Sequence, residues 1–230
     1  VEAAHARFSP SGAHKWLRCP GSMVLEGTYP DEGSSYAKEG TAAHLIASMC
    51  LDHPDMAAKD HLGKEFDVEG QRFVLNQTHA EHIDDYVSYV REQATGGLLL
   101  VEKRVNFSPV IKQPNSFGTS DAVIVHAARL TVVDLKYGMG VKVDAEDNEQ
   151  LQLYALGALN DYGHLADFEE VRMVVHQPRL NHVSDWTIPV SQLEAFGEEA
   201  KRGADAVLDA FEYEGADNWA EKFLSAGEKS

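Results

Sequence analysis

Cysteine is scarce: the chain has two, Cys19 and Cys50, among 230 residues. Two thiols cannot build a disulfide framework, so a reducing, cytoplasmic setting is expected. Long apolar runs are missing as well. The longest stretches, Leu98 to Val101 and Ala122 to Val125, are strand-sized and far short of the roughly 18 residues that span a bilayer, so no membrane partner is expected. Val1-Glu2-Ala3-Ala4-His5 carries no apolar segment, so no signal peptide is expected. Basic residues are few: 20 Lys and Arg stand against 37 Asp and Glu, a net charge of −17. That balance repels DNA at long range and excludes a plain basic footprint. It leaves a locally basic groove around bound cations, or a partner that supplies the basic surface. Gly-x-Ser-x-Gly and His-Glu-x-x-His are both absent, which removes support for a serine hydrolase or a zinc protease.

The 43% of hydrophobic residues suffices for one well-packed core. A single domain over 1–230 is expected, with an irregular segment at 1–34, a core at 35–190 and a C-terminal helix and tail at 191–230. Gly, Pro and Ser crowd residues 6–34 around a short helix near Ala13 to Arg18. Glu39 to Leu51 and Asn76 to Ala94 carry helical apolar stripes, with a loop and short hairpin over 52–72. The period then changes. Leu98 to Phe107, Phe117 to His126 and Leu130 to Tyr137 read as strands, with a loop from Pro109 to Ser116 and a tight turn at 127–129. Ala145 to Leu159 reads as a helix, and Val171 to His176 and Trp186 to Val190 as strands. Ser191 to Phe211 reads as a long helix capped by Ser191 with Glu194, followed by an acidic tail that is frayed or only loosely docked. Hairpins followed by a helical crossover imply an α/β or α+β fold, a mixed central sheet flanked by helices.

The densest chemistry lies in Thr131-Val132-Val133-Asp134-Leu135-Lys136-Tyr137. Strand alternation puts Asp134 and Lys136 on one face. Alone, the pair reads as a salt bridge or the solvated face of an edge strand. Phe117-Gly118-Thr119-Ser120-Asp121 opens the preceding strand. Folding about residues 127 and 128 brings Asp121 opposite Asp134 within one position. Two adjacent carboxylates repel unless a cation holds them, and hard oxygen ligands suit Mg²⁺ or Mn²⁺.

The order Asp121, then Asp134-Leu135-Lys136 resembles the PD-(D/E)XK nuclease superfamily. Three flanking features resemble its RecB-like exonucleases: His44 within Glu39-Gly40-Thr41-Ala42-Ala43-His44, Gly118 three before Asp121, and Gln150-Leu151-Gln152-Leu153-Tyr154. Ser11 to Ser22, Glu39-Gly40-Thr41 and Gln177-Pro178-Arg179 are similar to a phage or prophage branch of that family, and the resemblance covers about 9–190. It implies a restriction-endonuclease-like sheet and cleavage of DNA phosphodiesters with one or two Mg²⁺ or Mn²⁺ ions. It implies that His44, Asp121, Asp134 and the Leu135 carbonyl hold metal, that Asp121, Asp134 and Lys136 are catalytic, and that Gln150 and Tyr154 position substrate. DNA ends are the implied partner, with a recombination or phage protein beside them, in a bacterial host cytoplasm. Many RecB-like nucleases hold an iron–sulfur cluster on four cysteines. Cys19 stands where the first would be, but no cysteine follows Cys50, so no cluster is expected on this chain.

Other positions carry weaker readings. Glu39 is a further metal group or a supporting one; Lys142 and Arg179 are phosphate contacts or ordinary turn residues. His79, His82 and Asp85 form a zinc face or a polar helix surface. The rival to an enzyme is a nuclease-fold subunit that binds DNA or a complex and cleaves little; a structural metalloprotein built on the histidines is a third reading.

Overall fold

A computed structural model describes residues 6–26, 35–68 and 70–225. Two short helices, α1 (Ala13–Trp16) and α2 (Ser22–Glu26), precede the long α3 (Ser35–Asp52). A hairpin of β1 (Glu65–Val68) and β2 (Gln71–Val74) leads into α4 (Gln77–Gln93). Then come β3 (Leu98–Asn106), the short α5 (Ser108–Ile111), β4 (Phe117–Val125) and β5 (Arg129–Leu135). The chain closes with α6 (Glu149–Tyr162), β6 (Glu170–Gln177), β7 (His182–Pro189), α7 (Val190–Glu212) and α8 (Trp219–Phe223). Residues 27–34 of the expected irregular segment, and 226–230 of the expected tail, lie outside the described residues.

Five strands form one mixed sheet in the order β3-β4-β5-β6-β7. All neighbours are antiparallel except β5 and β6, which run parallel because α6 carries the chain back across the sheet. Side chains alternating along the strands supply a core on each face. Val123, Val132, Met173 and Val175 pack under α6 and α7, while Ala122, Ile124, Val133 and Val174 pack under α3 and α4. α6 is buried at every position from Leu151 to Ala158, so it is the central helix of its layer. α7 turns a stripe of Leu193, Gly197, Ala200, Ala204, Val207 and Ala210 inward, mostly small residues that let it lie close to its neighbours.

Helix starts follow side-chain chemistry in two cases. Asn76 and Asn148 each accept a bond from a backbone N–H three residues on, His79 and Leu151, closing orphan donors of α4 and α6. The expected cap of α7 differs: Pro189 is its N-cap, without a side-chain bond, and Ser191 and Glu194 lie within the helix. β7 continues so directly into α7 that no free turn is left for a serine cap. β7 also begins at His182, four residues before the expected Trp186, because its alternation of half-buried and exposed side chains hides an edge strand. α6 begins at Glu149, since Asn148 is the cap that Ala145 was expected to precede. The expected loop from Pro109 holds α5, and of the acidic tail, expected frayed or loosely docked, the described part docks. Phe223 is buried against Val24 and Ala210, and Trp219 Nε1 donates to the Ala210 carbonyl at 2.7 Å. Among the described residues no helix is long and apolar enough to cross a membrane.

Candidate metal centre

Three strands bring three carboxylates into one row. The β4–β5 register runs from Val125↔Leu130 to Ala122↔Val133, and one step further sets Asp121 against Asp134, the pairing expected from the turn. The β3–β4 register runs from Leu98↔Val125 to Val101↔Ala122, breaks, and resumes at Lys103↔Ser120. Glu102 and Asp121 face each other in that gap. The break has a cause in packing. Val101 belongs to the core beneath α3 and α4, whereas Val105, with the same strand parity, belongs to the core beneath α6 and α7. The strand therefore changes face between them, and Glu102 carries the change with φ of 47°, unusual for a residue with a side chain.

Asp121 and Asp134 are engaged from different layers. Asp121 Oδ2 accepts from the backbone N–H of Leu135 at 2.6 Å, and Asp121 Oδ1 lies 2.8 Å from His44 Nδ1, which α3 carries over the strand ends. Asp134 is 5% exposed. Its Oδ2 meets the Lys136 ammonium at 3.1 Å but has no well-directed hydrogen bond among the described residues. Lys136 donates to Gln150 Oε1 at 2.7 Å, and Gln150 Nε2 donates to the Tyr154 hydroxyl at 3.0 Å and reaches Asp134 Oδ1 at 3.5 Å. Gln150 and Tyr154 are one helical turn apart on α6, so a single face serves the whole chain of bonds. Gly118 makes that approach possible: a Cβ there would lie 2.6 Å from both Tyr154 Cε1 and Pro10 Cγ.

Electrostatics follow from this crowding. Burial first, and the Asp121 charge next, push the Asp134 carboxyl up to about 6 against the pull of Lys136. Glu102 is an exposed residue, yet its carboxyl is pushed up to about 7 by desolvation and then by Asp121. His44 is raised: burial opposes its charge, but the bond to Asp121 and the charges of Asp121, Asp134 and Glu102 prevail. These groups ask for positive charge. His44, Glu102 and Asp121 offer ligand atoms within 4.8 Å of one another and could hold a metal ion. That residue set fits a divalent cation, since carboxylate oxygens and an imidazole are its ordinary ligands and Asp134 adds a buried oxygen alongside.

The row opens into a cavity of about 630 Å³ that takes in Lys136, Leu135, Gln150 and Tyr154 as well as the ligand group. Its far wall is the glycine-rich loop after β5, fixed by Gln177, whose Oε1 accepts from Val143 N at 2.7 Å and whose Nε2 donates to the Val141 carbonyl at 3.2 Å. Lys142 is exposed on that loop between two lining residues, Val141 and Val143. Arg179 turns elsewhere: it pairs with Glu39 at 2.6 Å and lies over the Tyr137 ring at 5.1 Å, so both residues tie the start of α3 to the turn after β6. The expected zinc face separates, because His79 stacks on Phe73 while Asp85 lies 3.7 Å from His176. Among the described residues His44, Glu102 and Asp121 are the one group of three or more such side chains that could hold a metal ion. Cys19 Sγ accepts from the Ser225 backbone N–H at 3.3 Å, beside the docked C-terminal helix.

Glu102 was not singled out from sequence, and Gln177 stood only within Gln177-Pro178-Arg179, with no role of its own. Glu102 sits mid-strand, and its partner was concealed by the ten residues between β3 and β4, which leave the register open.

Fold and site together define a mixed-sheet protein with helices on both faces and a carboxylate–histidine centre carried by β3, β4 and β5 with α3. The chain belongs to the DUF2800 family, described as a protein of unknown function, whose model matches residues 5–225. A solved structure titled "Crystal structure of SSO0001" is similar over 92% of this chain and 90% of that one, at 13% identity and a TM-score of 0.28. At that level the likeness bears on neither fold nor chemistry.

Proposed function

We propose that this chain is a divalent-cation-dependent deoxyribonuclease of the PD-(D/E)XK type, RecB-like, acting on DNA ends in phage-type recombination or processing. The observation that carries the reading is the convergence at one cavity of Asp121, Asp134 and Lys136 with His44 and Gln150, residues 106 positions apart at the extremes that the motif order had already grouped. In this reading His44, Asp121, Asp134 and the Leu135 carbonyl together supply ligands for one or two Mg²⁺ or Mn²⁺ ions. A bound cation supplies Lewis-acid stabilisation of the phosphoryl oxygens and a lowered pKa for the attacking water. Lys136, its ammonium aimed by Gln150 and Asp134, orients that water or meets charge developing on the phosphoryl group. Tyr154 holds Gln150 from behind, so the lysine does not wander among rotamers. Lys142, exposed at the loop rim, is placed to touch a flanking phosphate.

The net charge of −17 favours a second reading, a nuclease-fold subunit that works within a complex and cleaves little by itself. End-labelled single- and double-stranded DNA, incubated with Mn²⁺, Mg²⁺ or EDTA, separates the two. Cation-dependent degradation lost in Asp134→Ala and Lys136→Ala supports the enzyme. A folded, metal-loaded wild type that leaves DNA intact refutes it for this chain.

A further inference from the structure

Asp121 has an acidic neighbour on each side, and the residues grouped by sequence account for only one of them. On the β5 side, Asp134 has the Lys136 ammonium at 3.1 Å. On the β3 side, no ion pair or hydrogen bond among the described residues engages Glu102, although its carboxylate lies within 4.8 Å of ligand atoms on both His44 and Asp121. The positive charge nearest to it is the His44 imidazole, which Asp121 already engages, and a carboxylate facing another is costly. The cost would be removed by moving Glu102 outward, yet the chain adopts a strained backbone at this residue and keeps it facing Asp121.

A second observation lies behind the group. The Tyr86 hydroxyl, on a residue 1% exposed, has no hydrogen-bond partner, and Tyr86 lines the same small void as His44, Glu102 and Asp121. A buried hydroxyl left unpaired costs about 1–3 kcal/mol, and the void is too small for a water, so the acceptor it calls for is a carboxylate drawn inward.

We propose that Glu102 is a direct ligand of a divalent cation, forming with His44 and Asp121 a site distinct from the one among Asp121, Asp134 and the Leu135 carbonyl. The inference deepens the nuclease reading and rests on its assignment of Asp121 as a ligand. Asp121 is then shared, with one oxygen toward His44 and the other toward the Leu135 backbone, as its present bonds already divide it. One imidazole and two carboxylates leave positions open for water or a phosphoryl oxygen, as a working rather than a structural site requires.

Mn²⁺ titration of the full chain, followed by the electron paramagnetic resonance signal of free Mn²⁺, counts bound ions without reference to cleavage. Two ions are expected per wild-type chain and one in Glu102→Gln, the affected ion binding at least ~10-fold more weakly. Glu102→Gln keeps the side-chain shape at an exposed position, and an unchanged circular dichroism spectrum verifies its fold. A wild type that binds one ion, lost in Asp134→Asn and untouched in Glu102→Gln, overturns the proposal and leaves the nuclease reading standing. A folded wild type that binds no ion removes both.

Discussion

Two helices reach the same row of carboxylates on different terms. α6 comes from the central layer, buried along its middle, and meets Asp134 with a finished chain of bonds: Lys136, Gln150 and Tyr154 each have a partner. α3 comes from the other layer and meets Asp121 with His44, while Glu102 stands opposite with no partner among the described residues. One side is organised by packing, the other by charge that the protein leaves for a ligand to balance. The lesson concerns where rigidity is placed. On the proposed reading, a lysine that must meet a transient charge is fixed beforehand, and ligands that an ion would draw together can begin out of balance.

The comparison breaks most sharply in kinetics. Gln150→Ala frees Lys136 without removing a ligand, so kcat is expected to fall ~100-fold with little change in the cation concentration needed for half-maximal rate. His44→Ala removes a ligand, so its loss is expected to be recovered largely by raising Mn²⁺. Rates measured across a Mn²⁺ series decide this, and equal recovery of both variants would abolish the distinction between the two sides.

Packing on the α6 side makes a stability prediction. Gly118→Ala sets a methyl group 2.6 Å from Tyr154 Cε1 and Pro10 Cγ, inside van der Waals contact. Overpacking of this kind costs about 1–3 kcal/mol, read as a lowered urea midpoint at unchanged slope. The same change at Gly140, where a Cβ meets nothing within 4 Å, is expected to leave the midpoint within about 0.5 kcal/mol.

Much of the α6 side was legible in the sequence because it is local. Asp134 and Lys136 share a strand, Gln150 and Tyr154 share a helical turn, and a short β4–β5 turn leaves little freedom in how Asp121 meets Asp134. The α3 side depends on contacts across long separations. Glu102 needed the β3–β4 register, and it also needed the change of face at that position, which uniform alternation of Leu99, Val101, Val105 and Phe107 conceals. The docking of Phe223 was hidden for a related reason: an acidic segment with few apolar residues gives no period from which a buried face can be read.

Charge imbalance should also appear as pH dependence without metal. Asp134 is held up to about 6 in the folded chain, above its ordinary 3.8. The folded state thus binds the proton more tightly than the unfolded one, and this stability is complete below pH ~4 and lost as pH rises through ~6. In EDTA the unfolding free energy is expected to drop on the order of 3 kcal/mol across that window, at ~1.4 kcal/mol per pH unit of displacement. Asp134→Asn should flatten the curve. Mn²⁺ should flatten it too, by stabilising the carboxylate form.

The smallest effect separates the site from its surroundings. Arg179 is bonded to Glu39 and covered by packing on Tyr137, so it reads as a tie between α3 and the turn after β6. A partly exposed ion pair of this kind contributes about 0.5–1 kcal/mol. Glu39→Gln should therefore lower stability by no more than that and leave cleavage within about threefold, since Glu39 is outside the ligand group. Arg179→Gln tests the same tie from its other end. If Arg179 leaves Glu39 for a DNA phosphate, Arg179→Gln raises KM for DNA well beyond the effect of Glu39→Gln, and the salt dependence of binding falls by about one phosphate contact. Matching effects of the two variants assign the pair to the scaffold; a KM effect confined to Arg179→Gln extends the site past β6 and makes Glu39 the partner that keeps the arginine in reserve.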